Sequence, residues 1–131
     1  MTQENKKTIL VVEDDKSMQM AVNDMFTNEG YTVLKADDGE EGLAIALKMH
    51  PDLIFADVQM PKMSGINMIK ELHKDEWGKT AQVVILSNVS DIHTIQDAMI
   101  EGSFFYMIKG DSSMRDILEM AHTRLAEHTE E

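Results

Sequence analysis

Four short apolar runs set the terms for this chain: Ile9-Leu10-Val11-Val12, Leu53-Ile54-Phe55-Ala56, Val83-Val84-Ile85-Leu86 and Phe104-Phe105-Tyr106-Met107-Ile108. None alternates polar with apolar residues. Continuous apolar strands of this kind belong to parallel sheets covered on both faces by helices. In open parallel sheets, ligands bind beyond the carboxyl ends of the strands. The residues directly after the runs therefore carry most of the functional information, and they are Glu13 with Asp14, Asp57, Ser87 and Lys109. Three carboxylates, one hydroxyl and one ammonium are expected to converge on one crevice.

Strand and helix patterns alternate along the whole length. After the first run, Met18, Ala21, Val22, Met25 and Phe26 recur at helical spacing, and Gly30 closes that helix as a C′ residue. Thr32 to Ala36 reads as the second strand. Asp37-Asp38-Gly39 then makes a turn into a helix striped by Leu43, Ala46 and Leu47 and ended by His50-Pro51. A loop with Pro61 and Gly65 leads from the third strand to a helix carrying Ile66, Ile69 and Leu72, and Trp77-Gly78 breaks the pattern before the fourth strand. The fourth helix is expected from about Asp91 to Glu101. The last carries Met114, Ile117, Leu118, Ala121 and Leu125 on its apolar side, with Ser113 and Asp116 as a capping box. Five strands and five helices in strict alternation predict an α/β fold with right-handed crossovers and helices on both faces of the sheet. The residues alone leave the strand order open. With 131 residues, 43% of them hydrophobic, one domain spanning 1–131 is expected, its core from about 8 to 126.

The chemistry follows from the charges. Glu13, Asp14 and Asp57 crowded together are mutually repulsive. A hard dication resolves the repulsion, and Mg²⁺, or Mn²⁺ in its place, takes carboxylate ligands while leaving coordination positions for phosphate oxygens. An aspartate beside such a metal can accept a phosphoryl group as an acyl phosphate. Phosphoryl transfer depends mainly on positioning and charge stabilisation, so Ser87 as a hydrogen-bond donor and Lys109 as a point charge are the right types. Taken singly, each has a plainer reading: Glu13-Asp14-Asp15 as turn and helix cap, Ser87-Asn88 as turn chemistry, and Lys109 as a solvated strand end.

Taken jointly, these residues resemble the receiver domain of two-component response regulators, from about Thr8 to Ala126. The family's acidic pair matches Glu13 and Asp14. Its phosphoacceptor, followed by a Met-Pro-x-x-x-Gly turn, matches Asp57, Met60, Pro61 and Gly65, and its hydroxyl, lysine and aromatic switch match Ser87, Lys109 and Tyr106. The resemblance implies a doubly wound, flavodoxin-like five-stranded parallel sheet in the order 2-1-3-4-5. It also implies that a sensor histidine kinase or phosphotransfer protein phosphorylates Asp57, with Mg²⁺ held by Glu13, Asp14, Asp57 and the backbone carbonyl of Gln59. Ser87 and Tyr106 would then move inward and alter the surface of helix four, strand five and helix five, where family members often dimerise. The resemblance further implies a phosphoacceptor regulator, not an enzyme acting on a separate substrate. Side chains at Gln59 and Val89 would tune the lifetime of the acyl phosphate, with the apolar Val89 favouring a longer one. Ile92, Ile95 and Met99 are candidates for a partner-facing patch. Two positions depart from the family: Gly110 stands where proline is usual, and Asn88 where a small residue is usual.

Other classes fit less well. A haloacid-dehalogenase-like phosphatase needs Asp-x-Asp after the first strand, where this chain has Glu13-Asp14-Asp15. Nucleotide and flavin sites need a phosphate loop there, and neither GxGxxG nor GxxxxGK[ST] occurs. A receiver that binds its partner without phosphorylation is the nearer rival, on the strength of Gly110 and Asn88. The formal net charge of −12 disfavours nucleic acid and anionic membrane as direct partners. The absence of cysteine, of a signal peptide and of any apolar run near the ~18 residues of a membrane span leads to the expectation of a cytoplasmic protein. The downstream target, and whether an output domain accompanies this stretch, are open at this stage.

Overall fold

The computed structural model describes residues 7–101 and 104–129, with the side chains at 89, 97–101, 111 and 127–129 excepted. The strands are β1 (Thr8–Val12), β2 (Thr32–Ala36), β3 (Leu53–Asp57), β4 (Val83–Ser87) and β5 (Phe105–Ile108), and the helices are α1 (Lys16–Asn28), α2 (Gly39–Met49), α3 (Gly65–Leu72), α4 (Ile92–Glu101) and α5 (Met114–Thr129). The strands form one sheet in the order β2-β1-β3-β4-β5, with every neighbouring pair parallel. That is the order implied by the resemblance.

Because side chains alternate across a strand, each apolar run feeds two cores. Leu10, Val12, Ile54, Ala56 and Ile85 face Ala46 of α2, Ile66, Ile69 and Leu72 of α3 and Ile95 of α4. Ile9, Val11, Leu53, Phe55, Val84 and Leu86 face Val22 and Phe26 of α1 and Ile117, Ala121 and Leu125 of α5. The same alternation sorts the strand-end residues. Glu13, Asp57 and Lys109 continue the α1/α5 side, whereas Ser87 and Tyr106 continue the other. β3 and β4 are buried throughout. β5 is an edge strand, so the expectation of full cover fails there: Phe105 is 43% exposed, with the Arg124 guanidinium 4.0 Å above its ring.

Helix ends follow the local chemistry. Asp15, Asp38 and Ser64 cap α1, α2 and α3 by accepting from the N–H groups of Met18, Glu41 and Asn67. Ser113 and Asp116 form the expected reciprocal box, Ser113 N–H to Asp116 Oδ2 at 3.0 Å and Asp116 N–H to Ser113 Oγ at 3.1 Å. Gly30, at φ 96°, closes α1 as a Schellman turn, with Gly30 N–H donating to Thr27 and Tyr31 N–H to Phe26.

Two stripes differ from expectation at their margins. Ala21 is exposed, and the buried place on α1 is taken by Gln19. Leu47 is also exposed, because α2 lies so close to the sheet that Gly42 and Ala46 line the contact. A Cβ at Gly42 would stand 2.8 Å from Val12 Cγ2. On α4, Ile95 belongs to the core and so is not part of the suggested patch, whereas Ile92 is half-buried. The side chains of Met99 and Val89 lie outside the described residues.

Candidate functional site

All five strand-end residues lie at the carboxyl edge of the sheet, and three of them meet directly. Asp57, 8% exposed, ends β3, and the Lys109 ammonium donates to its Oδ2 at 2.9 Å. The same ammonium stands 3.4 Å from Glu13 Oε1, close enough for an ion pair. Glu13 is 1% exposed because its N–H extends the ladder beyond β1, donating to Ala36 at 3.0 Å. Its Oε2 accepts from Asp15 N–H at 3.2 Å, while Oε1, among the described residues, has no hydrogen-bond partner. Asp14 is exposed, and one carboxylate oxygen from each of Glu13, Asp14 and Asp57 lies within 4.8 Å of the others.

The electrostatics reflect this crowding. Burial, and then the Asp57 charge, push the Glu13 carboxyl up to about 7. Burial alone would lower the Lys109 ammonium, but the Asp57 hydrogen bond and charge, with the Glu13 charge, hold it above its ordinary value. A donor set of three carboxylates without histidine or cysteine, with one buried oxygen that has the Lys109 ion pair but no hydrogen-bond partner among the described residues, fits a hard divalent cation such as Mg²⁺ or Mn²⁺.

Ser87 and Tyr106 share the opposite face. Ser87 is fully buried, and its Oγ has no hydrogen-bond partner among the described residues. Tyr106 is half-buried and pairs in register with Ile85, two residues before Ser87. Gly65 has a steric reason to be glycine: a Cβ there would stand 2.2 Å from the Asp57 carbonyl oxygen, so α3 can begin against the phosphoacceptor candidate's own backbone. Gly110 sits exposed in the 3-10 turn Lys109–Asp111, where a Cβ would meet nothing within 4 Å.

Two residues that the sequence did not single out hold this edge together. The Gln19 amide donates to Glu13 O, Ala36 O and Asp37 Oδ1, each at 3.0 Å, and so joins the turn after β1 to the turn after β2. Asp37 is also paired with Lys16 at 2.6 Å, and that hydrogen bond, with the one from Gln19, lowers its carboxyl below the usual range. Asp91, 6% exposed, accepts from Asn88 N–H at 3.3 Å and from Gln59 Nε2 at 2.8 Å. The signal for Gln19 was a polar residue at i−3 and i−7 from Val22 and Phe26 on an apolar stripe. Asp91 carried the weaker signal of an acid opening a helix.

Residues 9–122 match the family described as the response regulator receiver domain. Among curated proteins, the chain is 37% identical over 86 residues to a probable transcriptional regulator ycf27 of Porphyridium aerugineum, covering 66% of this chain and 36% of that protein. It is 29% identical over 101 residues to sporulation initiation phosphotransferase F of Bacillus subtilis, covering 77% and 80%. Among solved structures, the receiver domain of Francisella response regulator 1452 superposes with a TM-score of 0.83 at 25% identity, covering 93% of this chain and 98% of that one. Chemotaxis protein CheY4 of Vibrio cholerae gives 0.82 at 27%, covering 92% and 99%. The matched stretch spans about a third of the first curated relatives, at 36% of each.

Proposed function

Because the chain belongs to the response regulator receiver domain family, we propose that Asp57 is its phosphoacceptor, receiving a phosphoryl group from a sensor histidine kinase or phosphotransfer protein. The observation that carries the reading is the Lys109 ammonium 2.9 Å from Asp57 Oδ2, beside a three-carboxylate cluster. An Asp57 carboxylate oxygen attacks phosphorus, the new oxygen–phosphorus bond forms in line as the donor's bond to phosphorus breaks, and the donor leaves with the bonding pair. Lys109 moves its contact from Asp57 to a phosphoryl oxygen, where it offsets charge that the transfer brings in. Ser87 supplies a hydrogen bond to a second phosphoryl oxygen, giving its unpartnered Oγ a partner. Glu13, Asp14, Asp57 and the Gln59 carbonyl would hold Mg²⁺ or Mn²⁺, which when bound neutralises phosphoryl oxygens as a Lewis acid.

Phosphorylation adds a charge of roughly −1.5 to −2. Ser87 and Tyr106 lie on the same side of adjacent strands, so inward movement of one opens room for the other, and α4, β5 and α5 form the surface that reads the change. The effect is a shift between populations already present, limited by how differently the two states bind a partner. A protein target, or a second phosphorylated copy of the chain, is the partner class for this face, and the net charge argues against nucleic acid. No helix among the described residues is long and apolar enough to cross a membrane. We place the domain in the cytoplasm, as a single receiver unit over 1–131. Acyl phosphates are cleaved by hydroxylamine and hydroxyl phosphates are not. An adduct formed with acetyl phosphate should therefore be lost on hydroxylamine treatment, and a resistant adduct would contradict transfer to a carboxylate.

A further inference from the structure

We infer that Asp91 is a positioning residue for the phosphoacceptor site, acting through Gln59 to hold the loop that leaves β3 against the loop that leaves β4. The inference rests on the reading of Asp57 given above. Asp91 ends the 3-10 turn Val89–Asp91, directly ahead of α4. Its Oδ2 accepts from Asn88 N–H, and its own N–H donates to Asn88 O at 3.0 Å, which closes the turn on itself. That much is ordinary capping chemistry.

Burial and the second oxygen are not explained by capping. The caps Asp15, Asp38, Ser64 and Ser113 are exposed or half-buried, where a carboxylate or hydroxyl keeps part of its hydration. Asp91 is buried, and burying a carboxylate is costly unless its oxygens are well paired. Its Oδ1 takes a charge-assisted bond of 2.8 Å from the side chain of Gln59, 32 residues away in sequence.

The position of that bond gives it consequence. Asp57 pairs in register with Leu86, so the two loops leave adjacent strands beside Asp57 and Ser87. Val58 N–H still reaches Leu86 O, at 3.3 Å. From residue 59 to residue 63, Met60 and Met63 pack against the core and the Met63 backbone lies close to Gly39, while the polar side-chain ties among the described residues are Gln59–Asp91 and the looser Lys62–Asp38 pair at 3.8 Å. Of these ties, the Gln59–Asp91 latch is the one that joins the loop after β3 to the loop after β4 through side chains, beside the reacting carboxylate, and phosphoryl transfer is sensitive to such placement.

The test is a double-mutant cycle on the full chain, reading the rate at which native, Gln59→Ala, Asp91→Ala and the double variant gain a phosphoryl group from acetyl phosphate with Mg²⁺. Gln59→Ala removes the latch and keeps the backbone carbonyl. Each single substitution should slow the gain by roughly threefold or more, and the double variant should be no slower than the slower single variant. If Asp91→Ala does not fold, Asp91→Asn takes its place in the cycle with the same expected failure of effects to multiply. A Gln59→Ala variant reacting at the native rate, or effects that multiply, would overturn the inference while leaving Asp57 as phosphoacceptor. A native chain that gains no phosphoryl group would overturn that reading, and the inference with it.

Discussion

Lys109 spends its charge on two carboxylates at once, at 2.9 Å from Asp57 and 3.4 Å from Glu13, and this double duty predicts opposite effects of its removal. Lys109→Met takes a cation from beside three carboxylates, so Mg²⁺ should bind more tightly by calorimetry. If Lys109 has the role proposed for it, the same variant should gain a phosphoryl group about 100-fold more slowly, because a charge placed to stabilise the transfer is gone. Tightened binding without slowed transfer would remove Lys109 from the chemistry. Ser87 makes the complementary case. Its Oγ is buried and unpartnered among the described residues, so Ser87→Ala should leave thermal stability unchanged or raised, whereas phosphoryl gain should slow about tenfold for want of one hydrogen bond to a charged group. Both residues were legible in the sequence because each ends an apolar run, a position with few structural uses for a polar side chain. Gln19 and Asp91 were not. Their partners, Ala36, Asp37 and Gln59, come near only through the sheet order, and a polar residue on a helix or in a turn usually means solvent or a cap.

Elements were legible where one local cause sets them. The Ser113–Asp116 box forms as the spacing predicts, and Ser113→Ala should lower unfolding free energy by about 1 kcal/mol, read as a shift in urea midpoint at constant slope. The margins of stripes were less legible, as Ala21 and Leu47 show. Helical spacing gives the direction of the buried face, but how near a helix approaches the sheet depends on the small residues opposite, here Gly42 and Ala46. Gly65 marks the point where an element and the site share a constraint. With a Cβ 2.2 Å from the Asp57 carbonyl, Gly65→Ala must displace either α3 or the end of β3. It should cost about 1–3 kcal/mol of stability and also slow phosphoryl gain. A variant that loses stability but reacts at the native rate would show that α3 gives way and the end of β3 does not.

Across the molecule, strand order and side-chain alternation decide which residues cooperate. The order β2-β1-β3-β4-β5 sets β1 and β4 on either side of β3, and so brings Glu13 and Ser87 to the two sides of Asp57. The residues alone gave alternation and left the order open; the family resemblance supplied it, since pairing among parallel strands is a long-range choice that local patterns do not encode. Alternation then separates the interacting trio of Glu13, Asp57 and Lys109 from the pair Ser87 and Tyr106, which share a face with α4. The first face would carry the acyl phosphate, and the second, through Ser87, would both contact it and report it. The most direct test is intact-mass spectrometry of the native chain and Asp57→Asn after incubation with acetyl phosphate, with and without Mg²⁺. The account predicts one added phosphoryl group in the native chain with Mg²⁺ and none in the other three samples. An adduct on Asp57→Asn, or none on the native chain while Mg²⁺ is present and the incubation is short, would contradict it.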